Sequence, residues 1–379
     1  MKSGQSATIL IPNVACNSAN IHYSLSAKIQ YSYDVPTIGL QNVNTTGTVA
    51  GTSITGKPST LTSYEPITIT NTQSSATPSP FQQMINFTSS DPGFSSIATG
   101  NFGQNVEFFY YNGTIIPSWL ENYTSTNATW WLKIAAIPGG SSETVYVGFA
   151  PTSANLFNTV NDGEAPQIPC GSTPTSSCSN YAEYDDGASV FNYYTNFAGT
   201  TLNSSWSVGS GVTFSVNNGL TVNASSSGWD GLMNSKTLNA PIVEEMYSKL
   251  ISGYAIMATG LASSNILRTT DSIGYEGRSV NGQGTTIENP IGASTLEKGT
   301  GLAIGVMYVV TGITVNSTEG TVYINYGADG TSTLSSATIS LPNNIVIGGY
   351  NSEFFVQWFR TRAYPPNGIM PSVTFGSVA

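Results

Sequence analysis

The chain has 379 residues, enough for two or three domains, yet only 8% of them are charged, against about 25% in a typical soluble domain. Its 39% hydrophobic and 11% aromatic residues supply enough apolar surface for folding, which excludes a disordered chain. The formal net charge of -10 excludes nucleic acid as a partner, because phosphate binding requires a surplus of Lys and Arg.

No segment of the sequence is a candidate membrane span. Apolar runs such as residues 303–310 are much shorter than the ~20 residues that cross a bilayer. Residues 1–4 open no apolar signal core, so we expect an expressed fragment or mature form without its export signal or anchor. Because so few charges are present, acid would break few ion pairs, and we expect the fold to tolerate strong acid.

Residues 1–60 are predicted to form a short N-terminal β segment. Apolar residues alternate with mostly polar ones, as in a strand, at Ile21, Tyr23, Leu25, Ala27, Ile29 and Tyr31. The motif IPNVAC and the strand after it resemble the C-terminal part of archaeal pilin-like proteins. His22 is the only histidine and has no acidic cluster near it in the sequence, so we expect a structural or surface residue and neither a Ser-His-Asp triad nor a zinc site.

Residues 61–157 are predicted to form a β-sandwich. The motif FFYYNGTII predicts a hairpin at Asn112-Gly113, since Asn-Gly supplies the positive φ of a tight turn. The segments YEPITITNT, NVEFFYYNGTIIPSWLENY and TWWLKIAAIPGGSSETVYVGFAP resemble a family of prokaryotic surface domains known as domain of unknown function 2341. Its Pro-x-Trp-x-Glu element is present here as Pro117, Trp119 and Glu121. The family often ends in Tyr-Gly-Asn-Pro, where this chain has Gly-Phe-Ala-Pro at residues 148–151.

Residues 158–180 are predicted to be a linker that contains a disulfide loop. Cys170 and Cys178 bracket the sequence GSTPTSS, and no further Cys or His stands near them to complete a metal site. A local disulfide, and with it an oxidising compartment, is the better interpretation. Cys16 is left over, either as a buried free thiol or with a partner upstream of the chain.

Residues 181–379 are predicted to form a jelly roll. FSVNNGLTV predicts a hairpin at Asn218-Gly219, and INYGADGTS predicts a turn at Asp329-Gly330. The opening YDDGASVFNYYTNFAGTTLNSSW and the closing FFVQWFRTRAYPP resemble concanavalin-A-like jelly rolls, in which the last strand returns beside the first. The resemblance implies a laminin-G-like or lectin-like architecture and carbohydrate or cell-surface binding.

Aromatic and basic residues of the predicted jelly roll are candidates for ligand binding. Trp229 lies in the turn SSSGWDG and Tyr275 in IGYEG, where a core role is less natural. Trp358, Arg360 and Arg362 share one strand face, opposite Phe355 and Phe359, which we assign to the core. For each candidate, a structural role is the alternative.

Calcium is the one candidate cofactor. Asp185, Asp186 and Asp230 offer the oxygen ligands that Ca²⁺ prefers. An Asp-Gly turn at residues 186–187, which requires no metal, is the favoured alternative.

Hydrolysis of a polysaccharide is the enzymatic alternative. Glycosidases require two carboxylates facing one sugar, and jelly-roll hydrolases place them as Glu-x-Asp-x-Glu on one strand face. The chain has no such triplet. Glu244 and Glu245 are adjacent and should face oppositely, as should Asp271 and Glu276.

The sequence therefore predicts an extracellular or cell-surface protein that is all-β and not an enzyme. Its expected role is adhesion or recognition of glycans or other cell-surface polymers through the jelly roll. A self-assembling subunit of a surface layer or filament is the alternative, and a polysaccharide hydrolase is the third. Eight glycosylation sequons are compatible with a glycoprotein but no more numerous than chance predicts, at Asn44, Asn86, Asn112, Asn122, Asn127, Asn203, Asn223 and Asn316.

Overall fold

The structure, a computed structural model, describes residues 56–98, 103–170, 178–226, 228–265, 271–278, 291, 301–333 and 339–379, together with strands at 25–27, 43–45, 286–288 and 295–298. Nearly all regular structure in these residues is β, which confirms the predicted all-β class. None of the helices in this part of the chain has the length and apolar character to cross a membrane.

Two short strands form the described part of the N-terminal segment. β1 (Leu25–Ala27) and β2 (Val43–Thr45) pair antiparallel, so the strand predicted over residues 21–31 is confirmed at residues 25–27. Cys16 and His22 lie outside the described residues.

The first sandwich contains the next seven strands: β3 (Ser63–Asn71), β4 (Phe81–Thr88), β5 (Val106–Phe109), β6 (Ser118–Tyr123), β7 (Asn127–Ile134), β8 (Ser141–Phe149) and β9 (Asp162–Glu164). The second sandwich begins with α1 (Gly187–Val190) and β10 (Tyr193–Thr195) and continues with β11 (Trp206–Val208), β12 (Val212–Val216), β13 (Leu220–Ala224), β14 (Asp230–Leu238), β15 (Ile242–Ala262), β16 (Ser272–Arg278), β17 (Thr286–Glu288), β18 (Thr295–Lys298), β19 (Tyr308–Asn316), β20 (Glu319–Ile324), β21 (Gly327–Thr333) and β22 (Asn343–Ala363). The last strand is β23 (Ser372–Phe375), and short 3-10 turns occur at Pro92–Ser96, Ile168–Cys170 and Pro366–Gly368.

The first sandwich is two four-stranded sheets, β23-β3-β8-β5 and β4-β7-β6-β9. Alternation along β7 decides which of its residues face the core. Trp130 packs edge-on against Phe87 and Phe108 between the two sheets. Trp131, one position later, points to the opposite face and contacts Phe191 of the second sandwich. Consecutive tryptophans therefore serve the core and the contact between sandwiches.

The second sandwich is built around two strands of 21 residues, β15 and β22, which pair antiparallel along their length with three register shifts. The first half of β15 also pairs with β19, and its second half pairs with β16. β22 likewise pairs with β14, β13 and β10 in turn, so each long strand has different neighbours at its two ends. β10 pairs with the end of β22, so the last strand of this sandwich returns beside its first, as the resemblance implied.

The two sandwiches pack directly on each other. Val309, Trp358 and Ala363 of the second sandwich belong to the same buried cluster as the core of the first. The backbone N–H of Ala363 donates to the side chain of Gln82 on β4 at 2.9 Å. The predicted boundaries at residues 60, 157 and 180 remain predictions. β23 falls within the predicted jelly roll in the sequence, but it pairs with β3 of the first sandwich.

Two of the three predicted hairpins are confirmed. The turns at Asn112-Gly113 and Asn218-Gly219 carry positive φ at Gly113 (85°) and at both Asn218 (53°) and Gly219 (127°). The turn predicted at Asp329-Gly330 is wrong, because these residues lie within β21. The chain turns instead at Asn325 and Tyr326, with φ of 47° and 66°.

The predicted core face of β22 is also partly wrong. Phe359 is fully buried, but Phe355 is half-buried, with the ammonium of Lys249 5.7 Å from its ring centre. The pairing of β22 with β15 shifts register between Val356 and Trp358, so Phe354 and Val356 take the core positions ahead of the shift. One bulge thus reverses the alternation expected from the sequence.

Candidate functional site

Arg360 lies at the centre of the contact between the sandwiches. It projects from β22 and is 0% exposed. Aromatic rings surround its guanidinium at 4.5 to 5.2 Å from their centres, and they belong to Trp119, Trp131, Phe191 and Trp358. Arg tolerates such a site because its planar cation stacks on aromatic faces and is weakly hydrated.

Two glutamates, one from each sandwich, bind Arg360. Nε donates to Glu245 on β15 at 2.6 Å, and one Nη donates to Glu121 on β6 at 2.8 Å. The hydroxyl of Tyr326 donates to Glu121 and accepts a bond of 2.8 Å from Arg360. Glu121, Glu245, Tyr326 and Arg360 therefore form a hydrogen-bonded cluster, here called the arginine cluster, that joins the sandwiches.

Glu245 does not have the electrostatics of a general acid. Burial raises the pKa of Glu245, but Arg360 and Arg362 outweigh it and hold that pKa below the usual value. Both of its oxygens accept hydrogen bonds from these arginines. A glycosidase acid requires the opposite shift and a free oxygen facing the sugar. This pair of carboxylates is arranged to bind the two sandwiches together.

A cavity of about 500 Å³ opens beside the arginine cluster, between the sandwiches. Five side-chain amides line it, namely Asn86, Asn122, Asn127, Gln167 and Asn325. Three aromatic residues of the second sandwich also line it, namely Tyr247, Tyr326 and Trp358, and the rest of the lining is Met84, Glu121, Thr129, Met307 and Val309. Among the described residues that line this cavity, Glu121 is the one with a formal charge.

Local geometry arranges the cavity wall. Tyr247 stacks on Trp358 with ring centres 5.5 Å apart and planes 24° apart. The indole N–H of Trp358 has no hydrogen-bond partner in the described part of the chain. On the opposite wall, the amide of Asn127 donates to Asn86 at 2.6 Å. Asn122 is exposed, and the structure records no side-chain bond for it.

A second, smaller cavity of about 160 Å³ also borders Tyr326. It shares Met84 and Tyr326 with the larger one. Its lining is mostly apolar, with Arg362 as the one charged residue among those described. The two cavities therefore lie side by side in the junction between the sandwiches.

The predicted ligand-binding residues divide into two groups. Trp358, Arg360 and Arg362 lie together at the junction between the sandwiches. Tyr275 is 0% exposed, and its hydroxyl donates to the carbonyl of Ile313 at 2.7 Å, so it is a core residue. Trp229 is 6% exposed and stacks on Tyr350, away from the residues that line the two cavities.

The candidate calcium ligands are not brought together. Asp185 accepts hydrogen bonds from Trp119, Tyr194, Asn196 and the backbone of Gly187, at 2.7 to 3.0 Å. Asp186 is 2% exposed, and its oxygens have no bond partner among the described residues. Asp230 lies on β14 beside Gly211. Within the described ranges, no three acidic, Cys or His side chains are grouped to hold a metal ion.

The predicted disulfide is confirmed. Cys170 and Cys178 are bonded, with their Cα atoms 5.5 Å apart.

Glu244 and Glu245 face oppositely, as predicted from their adjacency. Glu245 enters the junction, whereas Glu244 contacts Thr259 inside the second sandwich. Burial raises the pKa of Glu244 to about 8.

Sequence reasoning missed Glu121 and Tyr326 as site residues. Glu121 was visible as part of the Pro-x-Trp-x-Glu element, but its partner is in the other sandwich. Nothing in the sequence around Tyr326 indicates a contact with residue 121.

Comparisons with known proteins give limited similarity. No family model matches the chain, so the resemblance of residues 61–157 to domain of unknown function 2341 remains a prediction. A stretch of 141 residues is 34% identical to uncharacterized protein 562 of Sulfolobus islandicus rod-shaped virus 1. The match covers 36% of this chain and 22% of the viral protein, so the chain spans about a fifth of that relative.

Solved structures with similar folds cover less than half of the chain. The alignment with a protein of unknown function and galectin-like fold from Bacillus subtilis covers 46% of this chain and 96% of that protein, with 10% identity and a TM-score of 0.39. The alignment with a carbohydrate-binding module from Bacillus subtilis covers 42% of this chain and 96% of the module, with 11% identity and a TM-score of 0.36. The alignment with an endo-β-1,3-glucanase from Pyrococcus furiosus covers 46% of this chain and 94% of the glucanase, with 12% identity and a TM-score of 0.34. These identities are too low to transfer a function to the chain.

Proposed function

We propose that the larger cavity binds a glycan and that the protein acts in adhesion or recognition outside the cell. The observation that carries the proposal is a cavity of about 500 Å³ lined by five amides and three aromatic rings. This volume lies within the range of about 300–1,000 Å³ that is typical of ligand sites.

The chemistry of the lining matches that of an uncharged sugar. Each amide offers both donors and an acceptor, and a sugar hydroxyl requires both. Tyr and Trp offer flat apolar faces to the C–H face of a sugar ring, together with polar edges.

Rigidity of the cavity supports the proposal. Its walls come from both sandwiches, and the arginine cluster joins them. A site whose walls are fixed before binding loses less conformational entropy when a ligand enters. The disulfide Cys170–Cys178 agrees with an oxidising, extracellular location.

The proposed site differs from one on the jelly roll alone. Tyr247 and Trp358 come from the jelly roll, whereas Asn86, Asn122 and Asn127 come from the first sandwich. Trp229 lies outside this site, so Trp229→Phe should leave binding unchanged.

A glycan array with the full chain, followed by calorimetry on the hits, tests the proposal. Asn122→Ala and Tyr247→Ala should each weaken binding about tenfold, the cost of about one good hydrogen bond or aromatic contact. Asn217→Ala and Tyr111→Ala are matched controls at exposed positions away from the cavity and should change nothing. A host that does not glycosylate Asn122 keeps its amide free.

A blank array would contradict the proposal. If the same preparation formed filaments in negative-stain microscopy, the structural-subunit alternative would replace it. Release of reducing sugar from a bound polysaccharide, lost in Glu121→Gln, would instead indicate a hydrolase.

A further inference from the structure

Arg362 carries a guanidinium whose hydrogen-bonding capacity is mostly unused. It is 7% exposed on β22, and its Nε donates to Glu245 at 3.0 Å. Its Nη1 is buried and has no hydrogen-bond partner within the described residues, and no bond of its Nη2 is recorded there either. A buried donor without a partner costs free energy, so a native protein that keeps one has a ligand, ion or water to satisfy it.

The charges near Arg362 are unevenly placed. Arg360 binds two carboxylates, Glu121 and Glu245. Arg362 shares Glu245 with Arg360 and binds its other oxygen through a single bond. The side of Arg362 that faces the smaller cavity therefore has positive charge without an acid beside it, since no Asp or Glu is among the described residues that line it.

The cavity beside Arg362 has an amphipathic lining. Its space of about 160 Å³ is bounded by Met84, Ile313, Met370 and the rings of Trp131 and Tyr323. The Trp131 ring centre lies 4.9 Å from the Arg362 guanidinium and fixes its plane. Such a pocket suits a group with one anionic edge and apolar faces.

We propose that Arg362 binds the carboxylate of an acidic sugar unit, a uronate, in the smaller cavity. This inference rests on the proposed glycan site and names its substrate class. A guanidinium binds a carboxylate through charge-assisted N–H···O bonds, which are stronger than its bonds to an uncharged ester. Because both cavities border Tyr326, neighbouring neutral units of the same glycan occupy the larger one.

Matched probes isolate the carboxylate. Short oligomers of galacturonate, glucuronate and mannuronate are compared with their methyl esters by calorimetry at neutral pH, where the acids are ionised and the esters are not. We expect at least one oligouronate to bind about ten- to a hundredfold more tightly than its ester, as for a hydrogen bond to a charged group. Equal binding of acid and ester in all three series would overturn the inference.

Substitution of Arg362 tests the residue itself. Arg362→Gln should abolish the preference for acid over ester, so that the acid binds no more tightly than its ester. A purely structural role for Arg362 would instead weaken acid and ester alike, and that result would overturn the inference.

A second set of variants remains informative if Arg362→Gln fails to fold. Met370 is half-buried in the lining, where either charge can reach solvent. Met370→Lys should raise the acid-to-ester affinity ratio and Met370→Glu should lower it, each about threefold or more, with Met370→Gln as the uncharged control. An unchanged ratio in both would count against the smaller cavity as the uronate site.

Failure of the inference and failure of the proposed function give different results. Neutral glycans that bind in an Asn122-dependent way, with no preference for uronates, leave the proposed function intact and remove only the inference. No binding of any glycan removes both.

Discussion

The hydroxyl of Tyr326 lies 2.5 Å from Glu121, a residue 205 positions earlier in the chain and in the other sandwich. The contact depends on a backbone conformation that bulky residues rarely adopt, since Tyr326 has φ of 66° at the turn between β20 and β21. Such a conformation persists only where surrounding contacts compensate for it. Here the compensation is the bond to Glu121 and the bond from Arg360.

We expect Tyr326→Phe to destabilise the protein by about 1–3 kcal/mol, because Glu121 loses a buried donor while the ring remains. Urea unfolding, followed by tryptophan fluorescence, measures the change. Tyr111→Phe, at a side chain 66% exposed, is the control and should shift stability by less than about 0.5 kcal/mol. Equal effects of the two variants would show that the contact contributes nothing.

Arg360→Met should be much more costly. It leaves Glu121 and Glu245 buried without their shared cation, and breaking a buried ion pair in this way costs about 3–5 kcal/mol. The expected result is a melting temperature lower by many degrees in calorimetry. Lys236→Met, at an exposed position on β14, is the matched control with near-native stability. A variant as stable as the parent would mean that apolar packing alone joins the sandwiches.

Stability should fall as the pH rises. Burial raises the pKa of several carboxyl groups, to about 7 at Glu65, about 8 at Asp162, Glu164 and Glu244, and about 9 at Asp186. In the unfolded chain these groups titrate near pH 4. Above pH 4 the folded state thus holds protons that the unfolded state has lost. The stability that these carboxyl groups contribute is therefore fully present below about pH 4 and is lost as the pH rises through 7–9.

Melting curves at pH 5, 7 and 9 check this dependence. We expect the highest of the three melting temperatures at pH 5. Asp186→Asn should reduce the fall in melting temperature between pH 5 and pH 9, because an amide cannot ionise. Glu245 acts in the opposite sense, since its lowered pKa preserves its contribution until strong acid. A melting temperature that rises from pH 5 to pH 9 would contradict this expectation, and a collapse between pH 5 and pH 3 would contradict the acid tolerance expected from composition.

Removing the disulfide should lower stability by about 2–3 kcal/mol. Cys170 and Cys178 are eight positions apart, and closing so short a loop restricts the unfolded chain by about this amount. Urea unfolding of the chain with Cys170→Ser and Cys178→Ser measures the loss. A reductant should shift the parent by the same amount and leave the double variant unchanged; a shift in the variant would implicate another thiol.

Local signals in the sequence predicted much of the fold. Alternation and Asn-Gly turns identified strands and two hairpins, because both depend on a few neighbouring residues. The failure at Asp329-Gly330 has a tertiary cause. The chain turns four residues earlier because Tyr326 is held there by Glu121 and Arg360, and contacts of this kind leave no local pattern.

The candidate site was predictable only in part. Strand periodicity placed Trp358, Arg360 and Arg362 on one face, and all three lie at the junction. The same reasoning selected Trp229 and Tyr275 from their turn-like surroundings, but Tyr275 fills the core beside Gly312. A cavity formed by two sandwiches depends on how they pack, which the spacing of residues along either one does not encode.

The return of β23 to the first sandwich determines when that sandwich can be completed during synthesis of the chain. During synthesis, residues 56–170 leave the ribosome about two hundred positions before Ser372–Phe375, which cover the edge of β3. Until β23 is synthesised, Ile67–Thr70 present an open edge to which another nascent chain could add. Completion of the first sandwich is therefore postponed until the second sandwich has been synthesised.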